Sequence, residues 1–448
     1  MKFSTQIFGT IFMERDRYLQ KLLKRRGNGQ IKVITGIRRC GKSFLVFNLF
    51  RNHLIAEGVP ESNIVALALD NDEYNSLRDP RALGIFLRER IEGLSGKIYI
   101  LLDEIQYCRK VKRENVDETT VAPEDRDSLY ITFYDVLNGL QRRENVDIYV
   151  TGSNSKMLSD NVLTIFRGRG DEVRIHPFSF AEYHACVGGD MSVAFQDYMV
   201  FGGMPLAVLE SDEQERRDYL IHLYATVYVK DLLEHNKIKE PWIIENLLDV
   251  LSSSVGSLTN PTKLADTIRS VTGQNVGRNT IEQYVTYLKQ AYLFRQAKRY
   301  DVKGKNYFDT PYKLYAEDVG LRNARLNWRQ QEATHLMENI IFNELVIRGH
   351  TVDVGVVPIE TKVDGKREVR RHEIDFIVNR GFKRTYIQSA FAMNTQEKEQ
   401  QELLPFRHCR DAFRKIIVTG GMEKLWQDED GIVHVGIIPF LLDESILD

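Results

Sequence analysis

The chain has 448 residues, 43% of them hydrophobic and 28% charged, an ordinary globular composition with room for roughly two to four domains. Its 61 basic and 63 acidic residues leave a net charge of −2, which argues against whole-protein binding to polyanions and makes only local basic patches informative. Cys40, Cys108, Cys186 and Cys409 form no C-x-x-C pair and have no histidine at metal-ligand spacing. No apolar run approaches the ~18 residues of a membrane span, and Met1 to Phe8 lacks an export-signal pattern, so a cytoplasmic protein with reduced thiols is expected.

In chain order, the first chemical signal is Gly36-Ile37-Arg38-Arg39-Cys40-Gly41-Lys42-Ser43, a G-x-x-x-x-G-K-S phosphate-binding loop. The buried-strand pattern Ile31 to Ile34 precedes it and the helical pattern Phe44 to Phe50 follows it, the context such a loop requires. Gly36 and Gly41 let backbone N–H groups face phosphates, and the helix N-terminus adds partial positive charge. Lys42 reaches the β/γ-phosphates and Ser43 offers a hydroxyl to Mg²⁺. Gly36, Arg39, Cys40, Gly41, Lys42, Ser43 and Phe44 thus make up the expected ATP-binding set.

A second apolar strand, Lys97 to Leu102, ends in Asp103-Glu104, a Walker B pattern: Asp103 for the Mg²⁺ shell and Glu104 as the base that polarises the attacking water. A third, Asp147 to Val150, runs into Thr151-Gly152-Ser153-Asn154-Ser155. There Asn154 or Ser153 is placed to meet the lytic water or γ-phosphate, unless the segment is a simple turn. Arg169, in Gly168-Arg169-Gly170, reads either as an arginine finger toward a neighbour's nucleotide, which implies an oligomer, or as a solvated basic turn.

These motifs, with Leu102 to Tyr107, Pro177 to Tyr183, Phe201 to Pro205, Tyr228 to Leu232, Lys313 to Leu321, Glu338 to Leu345 and Glu373 to Val378, resemble a prokaryotic family of AAA-type P-loop ATPases over nearly the whole chain. The resemblance implies an α/β fold: a P-loop NTPase core with a parallel sheet, a helical lid, a winged-helix segment and a C-terminal restriction-endonuclease-like domain. The corresponding divisions are 1–183, 184–240, 241–315 and 316–448. One departure is Arg109 to Asp127, longer and more charged than the family's usual link, and expected to be an exposed loop. By the same resemblance Gly203 and Pro205 are candidates for adenine contact; the residues alone read equally as a helix-initiating turn.

Farther along, helical patterns cover Pro241 to Leu258, Pro261 to Ile268 (Asn260 as cap) and Asn279 to Lys289. The alternating segment that follows carries Arg295, Lys298, Arg299, Lys303 and Lys305 against the single acid Asp301, with Tyr300 and Tyr307 interleaved. Such a wing can straddle double-stranded DNA while Arg278, Thr280 and Gln283 approach a groove. Protein docking, a nucleotide lid and a solvated hairpin fit the same pattern.

In the terminal segment a restriction-endonuclease-like site needs an acid on the first helix, an acid on a strand and then Glu-x-Lys. Glu338 and Asp375 satisfy the first two, but Gln388-Ser389-Ala390 lacks both the third carboxylate and the lysine, which predicts a catalytically silent domain. The combined expectation is an ATP-binding and ATP-hydrolysing switch that uses Mg²⁺ and couples nucleotide state to the later domains, on DNA or on a protein partner. The alternatives are an ATP-regulated Mg²⁺-dependent DNA nuclease and a non-hydrolysing interaction scaffold.

Overall fold

The computed structural model describes residues 15–114, 121–152, 170–363, 366–393, 395–409 and 411–448. Its compact units divide between Ile175 and His176, so the expected lid, winged-helix and terminal segments belong to one unit. No helix among the described residues is long and apolar enough to cross a membrane.

The first unit is built on a five-stranded sheet whose order is Ile64–Ala68, Ile98–Asp103, Val146–Thr151, Ile31–Thr35, Gly170–Arg174, with every pairing parallel. Parallel strands covered on both faces read as continuous apolar runs, and Ile98–Asp103 is buried at each position. The strand with the phosphate loop and the strand with Asp103 are therefore not neighbours: Val146–Thr151 runs between them, with Ile34 opposite Thr151.

Two helices cover one face. Pro80–Ile91 starts where the Asp79 carboxylate accepts the Arg81 N–H at 2.8 Å with proline at the first position, and Phe133–Leu140 starts in a Thr132/Asp135 capping box. Leu83, Leu87, Phe133 and Leu137 pack there against Ile100 and Leu102. Each such side chain contributes about 1.5–3 kcal/mol when fully buried. Lys32 is fully buried in the same sheet, and its ammonium pairs with Asp147, which also accepts the Tyr149 hydroxyl at 3.0 Å and the Gly27 N–H at 2.9 Å. Burial lowers the Lys32 pKa, and Asp147 opposes that shift. The segment expected as an exposed loop after Tyr107 has a paired base, Val111–Lys112 against Tyr130–Ile131.

The second unit opens with helices including Met191–Phe201 and Glu213–His222, then the trio Pro241–Ser253, Pro261–Thr272 and Arg278–Gln290. Asn260 caps the second of the trio, accepting the Lys263 N–H at 2.8 Å, as its sequence predicts. The basic hairpin follows as Phe294–Asp301 paired with Tyr307–Ala316. It is not free-standing. Phe294–Asp301 also pairs in parallel with Thr351–Val363, Val354 opposite Arg299, so the hairpin forms one end of an eight-stranded sheet. Beyond it come Lys366–Arg380, Lys383–Ala390, Arg414–Thr419, Val433–Gly436 and Trp426–Gln427, with Ala333–Ile347 packed on this sheet.

Gly320 fixes the start of this region. Asp318 caps Val319–Arg325 by accepting the Leu321 N–H at 2.9 Å, and a Cβ on Gly320 would lie 1.9 Å from the Phe201 carbonyl oxygen. Gly320→Ala must push backbone from backbone, so it is expected to destabilise the protein by about 1–3 kcal/mol, read as a lowered urea midpoint. An unchanged midpoint would show that this contact yields freely.

Candidate nucleotide site

The phosphate loop is shaped by three residues with positive φ: Gly36 at 139°, Arg39 at 66° and Gly41 at 95°. A Cβ on Gly36 would meet the Ile175 carbonyl oxygen at 2.2 Å, so the loop closes only around glycine. Gly41 precedes the helix that begins at Lys42 and offers no side-chain cap, leaving its first N–H groups directed at the loop. Lys42 is buried, with Nζ donating to the carbonyls of Gly36 and Ile37 at 3.0 Å each. That anchor holds the ammonium inside the loop.

Asp103 and Glu104 sit at the C-terminal end of their strand. The Thr151 hydroxyl donates to the Asp103 carboxylate and accepts the Glu104 N–H at 3.2 Å, so one side chain of the intervening strand fixes both acids. The Asp103 pKa is raised chiefly by burial; hydrogen bonds from Thr151 and Ser43 pull it down, and the charges of Glu104 and Asp70 push it up again. Glu104 holds φ at 51°, a left-handed conformation that costs on the order of 1–3 kcal/mol, and its carboxylate accepts the Gln106 side-chain amide.

Arg38, Lys42, Ser43, Asp103, Glu104 and Tyr107 are among the residues around a cavity of about 260 Å³, which also receives Asp70 and Phe44. Arg78 secures its far wall: it donates to the carbonyls of Leu69 at 2.8 Å and Asp70 at 2.9 Å and stands 5.2 Å over the Tyr107 ring. Hard oxygen donors from Ser43 and Asp103 beside an anion-binding loop suit Mg²⁺ held with a triphosphate.

The expected binding set thus converges, with the Arg39 backbone turning the loop and Cys40 buried at its base, its Sγ 3.7 Å from the Ile175 carbonyl. Asn154, Ser153 and Arg169 lie outside the described residues. Gly203 and Pro205 belong to the second unit. There the Gly203 N–H donates to Asp318 at 2.7 Å and its carbonyl accepts the Phe178 N–H at 2.7 Å, while Pro205 is the buried first residue of Pro205–Leu209. Sequence reading passed over Thr151, Asp70 and Arg38. Thr151 is the last residue of an apolar strand and Asp70 follows another, so position at the sheet's carboxyl edge was the usable signal.

Of the basic residues expected at DNA, Arg278, Lys298, Lys303 and Lys305 are exposed, whereas Arg295 and Arg299 are half-buried. Arg299 stands 5.6 Å over the Phe308 ring, and burial lowers its pKa. Lys303 donates to the Pro358 carbonyl at 2.6 Å. Tyr300 and Tyr307 contact each other, ring centroids 5.0 Å apart.

Glu338, Asp375 and Gln388 do come together, the Gln388 side-chain oxygen accepting the Asp375 N–H at 3.3 Å. The lysine is absent from Gln388-Ser389-Ala390, as the sequence shows, yet a cation reaches the cluster from elsewhere: the buried ammonium of Lys313 lies 2.8 Å from Glu338 and 3.5 Å from Asp375. It arrives from strand Tyr307–Ala316, far in sequence from the position where Glu-x-Lys would have put it.

Residues 28–184 match the family described as an AAA domain, and residues 192–332 match a domain of unknown function, DUF8612. An uncharacterized protein of Haemophilus influenzae is 31% identical over 436 residues, 96% of this chain and 98% of that one. A second, from Methanocaldococcus jannaschii, is 24% identical over 92% and 87% of the two chains. Among solved structures, a Walker-type ATPase of Pyrococcus abyssi is similar at TM-score 0.46 and 15% identity, over 70% of this chain and 96% of that one. The Aeropyrum pernix ORC1 protein in complex with DNA scores 0.27 at 12% identity, over 70% and 91%. Residues 28–184 are thus an AAA-type P-loop domain, and the chain as a whole belongs to the family of the Haemophilus influenzae protein.

Thr151→Val removes a hydrogen bond that favours ionised Asp103 and leaves the Glu104 N–H without its acceptor. About tenfold or greater loss of ATP turnover is expected, corresponding to one unsatisfied buried group. Because the Asp103 pKa is raised above 3.8, Mg²⁺-dependent nucleotide affinity should fall at a higher pH than an ordinary carboxylate would give. In Thr151→Val that fall should move higher still. Coincident pH profiles for Mg²⁺-dependent binding would contradict the hydrogen bond's role.

Proposed function

We propose that the chain binds Mg·ATP in the phosphate loop, hydrolyses it and uses the change of state to reposition its second unit. The observation that carries the reading is the meeting of Ser43, from the loop, and Thr151, from the intervening strand, on the one carboxylate of Asp103. Mg²⁺ would be held by Ser43 and Asp103 and would neutralise charge on the phosphates. Lys42 cradles the β/γ-phosphates, and Glu104, fixed through its own N–H and by Gln106, orients and deprotonates the attacking water. Asn154 as a water-positioning group and Arg169 as a finger in an oligomer complete the proposal.

The partner we infer is double-stranded DNA, engaged in the cytoplasm by a winged-helix arrangement of Pro241–Ser253, Pro261–Thr272, Arg278–Gln290 and the basic hairpin. Exposed Arg278, Lys298, Lys303 and Lys305 support this. Replacing Lys298 and Lys305 by glutamate should weaken duplex binding and reduce the slope of log affinity against log salt by about two. An unchanged slope would remove the hairpin from the interface.

For the nucleotide site, Lys42→Ala is expected to weaken ATP binding by about 100-fold or more, from loss of a charge-assisted phosphate contact. Glu104→Gln should bind ATP within a few-fold of wild type while turnover falls about 10²-fold or more. Calorimetry and phosphate release distinguish the two. Wild-type turnover in Glu104→Gln, or wild-type ATP binding in Lys42→Ala, would exclude the assignment, and binding with no turnover even in the wild type would favour the scaffold alternative.

A further inference from the structure

Nucleotide hydrolysis makes no use of the ion cluster in the second unit. Lys313 is 3% exposed, and its Nζ lies 2.8 Å from Glu338 Oε1, 2.5 Å from Glu373 Oε1 and 3.5 Å from Asp375 Oδ1. Glu338 projects from helix Ala333–Ile347, while Glu373 and Asp375 are two apart on strand Lys366–Arg380 and so share one face. Converging carboxylates of this kind are a donor set that suits a hard divalent cation. We propose that the Lys313 ammonium is the resident cation of this cluster, a covalently tethered substitute for the metal ion, so that the terminal domain holds no divalent ion and cleaves no nucleic acid.

The remaining polar atoms support this assignment. The Tyr315 hydroxyl donates to Glu338 Oε1 at 2.7 Å, and the Ser389 N–H donates to Asp375 Oδ2 at 2.9 Å. Gln388, which replaces the third carboxylate, turns its amide nitrogen to Glu402 Oε2 at 2.8 Å and its oxygen to the Asp375 N–H. It therefore offers no ligand to the centre. Backbone also closes over Glu338: a Cβ on Gly256 would lie 3.2 Å from its Oε1. Burying a carboxylate without a cation costs several kcal/mol, which is what fixes Lys313 in place. Burial works against the charge on Lys313, but Glu338, Asp375 and Glu373, with Tyr315, outweigh it and hold the amine well above the usual lysine range.

The test uses the full chain without nucleotide, Mn²⁺ as probe, and electron paramagnetic resonance to count bound ions. Wild type and Asp375→Asn are expected to bind the same number of Mn²⁺ ions. Lys313→Met, which uncovers the carboxylates, is expected to gain one Mn²⁺ that the Lys313→Met/Asp375→Asn double variant lacks, and its lowered melting temperature should recover with Mn²⁺. A Mn²⁺ ion in the wild type that disappears in Asp375→Asn would overturn the proposal. Mg²⁺-dependent cleavage of duplex DNA by wild type that is lost in Asp375→Asn would do the same, as would a folded Lys313→Met that gains no ion. Should Lys313→Met not fold, the comparison of wild type with Asp375→Asn decides alone.

Discussion

One hydroxyl organises the first unit. Thr151 donates to Asp103 and accepts from the Glu104 backbone, so both acids are set by a single side chain on the strand that separates them from the phosphate loop. That bridge exists only because the sheet interleaves Val146–Thr151 between Ile31–Thr35 and Ile98–Asp103. Were the loop strand and the acid strand adjacent, Ser43 and Thr151 could not approach Asp103 from different elements. Strand order is thus a chemical constraint here, since it decides which side-chain oxygens meet at Asp103.

The loop is under a second constraint, of space. Gly36 passes so close to the Ile175 carbonyl that no side chain fits, and Lys42 is drawn inward by the carbonyls of Gly36 and Ile37. Hydrogen bonds that a flexible ammonium could make anywhere in solvent are made within the loop's own backbone. Preorganisation of this kind reduces the conformational entropy lost when a ligand binds.

Much of this was legible in the sequence, for physical reasons that differ from place to place. The loop, Asp103 and Glu104 were readable because a phosphate site demands glycine at fixed positions and parallel strands demand uninterrupted apolar runs. Asn260 and Pro261 were readable because helix starts have local chemistry. Thr151 was not, because its importance comes from a neighbour far away in the chain. Lys313 was missed for a related reason. A lysine inside an apolar strand looks solvated until the fold brings Glu338, Glu373 and Asp375 around it.

The parallel pairing of Phe294–Asp301 with Thr351–Val363 carries a consequence for how the second unit is inherited and engineered. Two segments that look like separate modules share one hydrogen-bonded surface, so cutting the chain between them would bare a strand edge on each fragment. Unpaired edges recruit other strands and promote aggregation. A linker inserted at that seam is therefore expected to loosen the hairpin and the terminal sheet without producing two independent folds.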